Sequence, residues 1–183
     1  MQRRIFIAIN LPQEIKNKLL DWQKKRFINS VKGISWTKMD NFHITLVFMG
    51  EIEEYMVDKL LEAARATAKN FKPFEISVDR IHIGPNLNTP RMIWLSGPEN
   101  KDLSTLARQF TDGLKKEGIE LNNNHGFKLH ITLARARNDE LRDVKIDEKF
   151  EHSFLAESVE VMESRLLPDG PKYSVLEKVD FNK

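Results

Sequence analysis

Two copies of one tetrapeptide, His43-Ile44-Thr45-Leu46 and His130-Ile131-Thr132-Leu133, carry the residues best suited to chemistry in this chain. Each copy reads as a β-strand. Side chains in a strand alternate between faces, so His43 and Thr45 point one way while Ile44 and Leu46 point the other, and His130 and Thr132 repeat the pattern. The His and Thr of one copy stand about 6 to 7 Å apart along the strand, close enough to reach neighbouring oxygens of one phosphate. Two such strands across a cleft would supply two imidazoles, as acid and base, and two hydroxyls to orient an anion. Chance pairing of five His with seven Thr in 183 residues gives about 0.2 His-x-Thr triplets. Two are present. Ile and Leu at the remaining positions are what the rear face of a half-buried strand requires. A single copy would be read as a core-edge histidine bonded to backbone; duplication at matched positions favours a site. Two His with no Asp, Glu or third His at short fixed spacing leave too few ligands for a metal, so neither metal nor cofactor is expected.

The elements around the motifs are also doubled. A shift of 87 residues that superposes the tetrapeptides places Arg4-Ile5-Phe6-Ile7-Ala8 over Arg91-Met92-Ile93-Trp94-Leu95. Helical spacing follows in both halves, with Ile15, Leu19 and Trp22 over 12–27, and Leu103, Leu106, Phe110 and Leu114 over 99–118. Each half therefore reads strand, helix, motif strand. Residues 53–70 predict a further helix, 74–84 a strand, 138–150 an irregular charged stretch, 154–167 one strand, 168–171 a tight turn and 173–181 a last strand. Short links between strands imply largely antiparallel pairing. The expected fold is α+β and bilobal. Two pseudo-symmetric lobes (about 1–86 and 87–183) of mostly antiparallel sheet, helices outside, would form one domain with the motif strands at a central cleft.

Outside the motifs, Arg135 suits bidentate binding of a phosphate. It lies five residues after His130, an odd offset, so strict alternation turns it from the cleft unless a bulge returns it. Trp36 and Phe42 flank the first motif strand and are candidates to stack on a base, although core packing would use the same residues. Trp22 and Trp94 fit apolar faces, and Lys24-Lys25-Arg26 fits a solvated helix end. His82, His125 and His152 lack a copy at the 87-residue shift and are read as surface residues.

Composition narrows the classes. The 40% hydrophobic content suits a packed domain, and no apolar run approaches a membrane span. The N-terminal segment turns polar too soon for a signal peptide, and cysteine is absent, which removes thiolate nucleophiles and cysteine-ligated zinc. A cytoplasmic protein is expected. With 29 basic and 27 acidic residues, a net charge of +2 suits a phosphate end better than a long duplex.

The chain resembles the 2H phosphoesterase superfamily, in particular the bacterial and archaeal RNA 2′,3′-cyclic phosphodiesterases formerly called 2′-5′ RNA ligases. The resemblance rests on the two His-x-Thr motifs within 36–51 and 127–135, the opening Arg4 to Pro12 stretch, Arg91 to Leu95, and the closing Ser164-Arg165-Leu166-Leu167-Pro168 with Gly170-Pro171-Lys172-Tyr173. It implies metal-independent opening of a terminal 2′,3′-cyclic phosphate on RNA or a nucleotide to a 2′-phosphate. It implies His43 as proton donor, His130 as proton acceptor, and Thr45, Thr132 and Arg135 as phosphate ligands. Tyr173 joins Trp36 and Phe42 as an aromatic candidate to stack on a base. No membrane and no obligate protein partner is implied. Leu129 stands where relatives often carry proline, and Val47 where a basic residue is frequent. Reversible 2′-5′ ligation and non-catalytic nucleotide binding are the alternatives. At the ordinary imidazole pKa of about 6.5, a base and a protonated partner coexist near neutrality, giving a bell-shaped pH profile.

Overall fold

A computed structural model describes the chain except residues 28–32, 86, 87, 89, 122–125, 138, 169 and 183, so His125 lies outside the described residues. The order is β1 (Gln2–Asn10), α1 (Gln13–Phe27), β2 (Ile34–Trp36), β3 (His43–Glu53), α2 (Val57–Ala68), β4 (Phe74–Gly84), β5 (Met92–Ser96), α3 (Lys101–Lys116), β6 (His130–Ala136), β7 (Asp147–Ala156), β8 (Ser158–Leu167) and β9 (Gly170–Asp180). All nine strands join one sheet, ordered β7-β4-β5-β6-β3-β1-β8-β9, with β2 added on β6. Every recorded pairing is antiparallel. The fold is thus α+β, as the short connections predicted.

The sheet narrows at its middle. β3 and β6 share one paired position, Ile44 with Ile131, and diverge on either side. Outward from this pinch the wings match: β6-β5-β4-β7 mirrors β3-β1-β8-β9. The wings interleave the sequence halves, since β4 sits with β5 and β7 while β8 and β9 join β1. Helix residues Ile15, Leu19, Leu60, Ala64, Leu103, Leu106, Phe110 and Leu114 form one buried cluster with Ile44, Leu46, Ile131 and Leu133. The three helices therefore cover the Ile face of the pinch and leave the His-Thr face open.

Local sequence explains the covering layer. In α3, Leu103, Leu106, Ala107, Phe110 and Leu114 share one stripe and are buried, each large side chain contributing roughly 1.5–3 kcal/mol. Asn100 caps the helix by accepting from the Leu103 amide at 2.9 Å, and Lys115 and Lys116 complement its C-terminal dipole.

Two expectations change. The stretch expected to be irregular ends in strand β7 from Asp147, and the strand expected over 154–167 is divided at Glu157 into β7 and β8, which lie in opposite wings. The reason is edge chemistry. β7 pairs on one side only, so its solvent face carries charged residues that mask its alternation.

Candidate active site

The pinch brings the motif residues together. With Ile44 paired to Ile131 in an antiparallel ladder, His43 stands opposite Thr132 and Thr45 opposite His130. All four are half-buried and line one cavity of about 90 Å³ with Arg135, Trp36, Asn41, Pro171 and Tyr173.

Both imidazoles are held in one tautomer by the same device. His43 Nδ1 donates to the Asn41 carbonyl at 2.7 Å, and His130 Nδ1 donates to the Lys128 carbonyl at 2.8 Å. A carbonyl only accepts, so each Nδ1 carries the proton and each Nε2 is left for chemistry. Here the halves differ. His43 Nε2 lies 2.9 Å from Thr45 Oγ1, whereas His130 Nε2 has no hydrogen-bond partner among the described residues. Aromatic rings back both: Phe6 at 5.0 Å from the His43 centroid and Trp94 stacked at 4.2 Å on His130. Sequence reasoning placed Trp94 on an apolar face and assigned no site role to it, Asn41, Lys128 or Phe6; of these, Asn41 and Lys128 lie at equivalent places in the two halves. Those two were detectable, because they precede the two His by two residues at the same 87-residue offset.

Arg135 reaches the cleft through a bulge. Ile93 pairs with Ala134 but Trp94 pairs with Thr132, so Leu133 is an extra residue in β6. Leu133 and Ala134 are both buried, alternation slips by one, and Arg135 emerges on the His130 side. The bulge is braced: the Leu133 carbonyl accepts from the Thr37 amide and from Gln23 Nε2, each at 2.9 Å, and Gln23 is itself buried. β3 carries the matching bulge at Leu46, where Ile7 pairs with Val47 and Ala8 with Thr45. Val47 is consequently buried in the core, as is Leu129. Phe48 then occupies the place in β3 that Arg135 holds in β6.

The aromatic candidates separate. Trp36 and Tyr173 line the cavity, Tyr173 edge-on to His43 at 5.4 Å. Phe42 does not: it is 0% exposed, on the core face with Ile44, and cannot meet a base. Trp94 is buried, and Trp22 donates to Glu148 Oε2 at 2.7 Å. His82 and His152 are half-buried, not freely exposed; His82 is hydrogen-bonded through both ring nitrogens. Among the described residues no group of three or more His, Cys, Asp or Glu is arranged to hold a metal ion.

The electrostatics displace the expected pH behaviour. Burial pushes the His43 imidazole down to about 4, the charges of His130, Arg135 and Lys16 add to this, and the hydrogen bond to Asn41 opposes it. Burial likewise lowers His130, with Arg135 and Lys128 contributing. Both rings are therefore neutral in the empty cleft at neutrality, and an entering anion is what favours their charging. Between about pH 4 and 6.5 the unfolded chain binds the His43 proton and the folded chain does not. Stability on the order of 3 kcal/mol is thus present above 6.5 and is lost as pH falls toward 4. Two-dimensional NMR is expected to show His43 titrating near 4 in the free protein and higher with inorganic phosphate. A free-protein value at or above 6.5 contradicts this electrostatic account.

The ring behind His130 has its own support. A Cβ on Gly84 would lie 2.7 Å from Trp94 Cδ2 and Cε3. Gly84→Ala is accordingly expected to displace the indole on which His130 stacks, costing about 1–3 kcal/mol in chemical denaturation and lowering kcat. An unchanged denaturation midpoint would show that Trp94 is not so confined.

Residues 9–94 match the family model described as LigT-like phosphoesterase. The chain is 29% identical to the RNA 2′,3′-cyclic phosphodiesterase of Archaeoglobus fulgidus, covering 94% of this chain and 97% of that protein. Its fold superposes on the crystal structure of a Thermus thermophilus protein, TT0787, with a TM-score of 0.86 at 28% identity, covering 97% of both chains. Apo LigT of E. coli gives 0.83 at 25% identity, over 100% of this chain and 99% of that one. The full-length similarity, the shared fold and the match across the first motif agree, and over its whole length the chain is similar to the LigT-like phosphoesterases.

Proposed function

We propose that this protein hydrolyses the 2′,3′-cyclic phosphate at an RNA end to a 2′-phosphate. The carrying observation is that two tautomer-locked imidazoles flank the Ile44–Ile131 bridge and open with Thr45, Thr132 and Arg135 onto one cavity. The printed name of the Archaeoglobus fulgidus relative supports the same chemistry.

In this reading His130 Nε2, free of partners among the described residues, removes a proton from water as its oxygen bonds to phosphorus. The P–O3′ bond breaks, and O3′ takes the proton of His43 Nε2. The products are a 2′-phosphate and a 3′-hydroxyl, and proton exchange with solvent resets the imidazoles. Thr45, Thr132 and Arg135 bind the non-bridging oxygens, where charge builds in the transition state. Because burial resists a proton on His43, the substrate anion must enter before His43 is charged. The substrate thereby completes its own acid.

Incubation of purified protein with a 2′,3′-cyclic mononucleotide and with a cyclic-phosphate-ended dinucleotide, in excess chelator, tests this reading. Phosphorus NMR is expected to show only the 2′-phosphate. A 3′-phosphate product, or intact substrate in both cases, refutes it.

A further inference from the structure

One sulfur atom joins two parts of the second motif's half of the cleft. Met92 is half-buried in β5, directly opposite Arg135 of β6. Its Sδ accepts from Trp94 Nε1 at 3.2 Å and from Arg135 Nη1 at 3.5 Å. Trp94 is the ring stacked on His130, so a single thioether touches both the backing of an imidazole and the guanidinium that lines the same cavity. The bulge brings them together. Without the extra residue Leu133, Ala134 would stand opposite Met92 and Arg135 would lie on the other face. The first half carries two phenyl rings at this register, Phe6 opposite Phe48, and no sulfur.

The two donors make different demands on the sulfur. Trp94 is buried, and its indole N–H needs an acceptor. Arg135 is exposed and, among the described residues, donates to no other acceptor. A thioether accepts weakly, so reduced Met92 leaves the guanidinium available to an anion in the cavity. A sulfoxide would not. Oxidation turns the apolar side chain polar and sets an oxygen on the sulfur that both donors already face. The bond from the guanidinium to that oxygen is charge-assisted, roughly twice as strong as the neutral one the indole can make, so Arg135 takes it.

Given the phosphate-binding role proposed above for Arg135, on which this rests, we propose that Met92 is an oxidation site controlling that residue: a peroxide converts the thioether to the sulfoxide, the new oxygen captures the guanidinium, and phosphate binding in the cleft weakens until the sulfoxide is reduced. In the forward step a sulfur lone pair attacks one oxygen of hydrogen peroxide and the O–O bond breaks. The proton on the transferred oxygen passes to the departing one, which leaves as water; sulfur loses two electrons and the peroxide gains them. In the return step a dithiol supplies two electrons, the S–O bond breaks, the oxygen leaves as water and the dithiol becomes a disulfide. The chain has no cysteine, so that dithiol comes from a methionine sulfoxide reductase.

The test exposes purified protein to graded hydrogen peroxide and maps sulfoxides by peptide mass spectrometry. Two readouts follow: affinity for inorganic phosphate by calorimetry, and kcat/KM on a 2′,3′-cyclic mononucleotide. Both are expected to fall about tenfold or more as Met92 sulfoxide accumulates, the scale of one charge-assisted hydrogen bond, and to return after treatment with methionine sulfoxide reductases A and B. Met92→Leu is expected to keep its own starting values through the same exposure, and Met56→Leu, at the start of α2, to fall as wild type does. Arg135→Gln should lose less than about twofold more, since the effect runs through the missing group. Unreacted Met92 in protein whose exposed Met1 is fully oxidised overturns the inference. So does equal loss in folded Met92→Leu, undiminished phosphate affinity once Met92 is oxidised, or no recovery with the reductases. If Met92→Leu does not fold, Arg135→Gln and the reductase treatment decide. Absence of hydrolysis before any peroxide defeats the proposed reaction instead, and phosphate affinity then decides the oxidation site.

Discussion

His43→Ala and His130→Ala are each expected to lower turnover of a 2′,3′-cyclic phosphate by about 10²–10⁴-fold, the range for removal of a general acid or base. Circular dichroism should remain that of the folded protein, because neither ring belongs to the buried apolar cluster. Each variant removes the imidazole donor of a water-accessible backbone carbonyl, of Asn41 or Lys128, so a loss of about 0.5–1.5 kcal/mol in stability accompanies the change. The double variant should be little worse than the poorer single one, since acid and base act in the same step. Turnover near the wild-type rate in either folded single variant would remove that imidazole from the mechanism.

Arg135→Gln is expected to lower kcat/KM by about 10²–10³-fold, in line with losing a donor aimed at transition-state charge. Arg135→Lys should recover only part of this, because an ammonium keeps the charge but not the planar pair of donors. The prediction rests on geometry that alternation denies. Without the extra residue Leu133, and the two hydrogen bonds that satisfy its carbonyl, the guanidinium would face the helices. A kcat/KM within about threefold of wild type in Arg135→Gln would mean that the guanidinium does not touch the phosphoryl group.

The legible and illegible parts of this molecule divide along the range of the interactions involved. Strand-helix-strand order in each half was readable because the apolar spacing of β1, α1, β5 and α3 is a local signal. The cleft was readable because His and Thr two residues apart must share a face. The bulges at Leu46 and Leu133 were not, since they arise from pairing with β1 and β5, and nothing in Leu46-Val47 or Leu133-Ala134 announces them. Because Ala8 faces Thr45 but Trp94 faces Thr132, the first strands align one residue short of the motif offset, which hid the equivalence of Phe6 and Met92. Phe42 was placed by proximity to His43, yet the chain enters β3 with that ring on the core side. Tyr173 reaches His43 only through long-range pairing of β9 on β8 and β8 on β1, which no local spacing encodes.

A crystal structure with a nucleoside 2′,3′-cyclic vanadate, whose five-coordinate vanadium mimics the phosphorus of the transition state, tests the central claim most directly. The account predicts His43 Nε2 and His130 Nε2 within hydrogen-bond distance of the two apical oxygens, one ring on each side, with Thr45, Thr132 and Arg135 on the equatorial oxygens. Vanadate held by one imidazole alone, or bound away from the Ile44–Ile131 pinch, would contradict it.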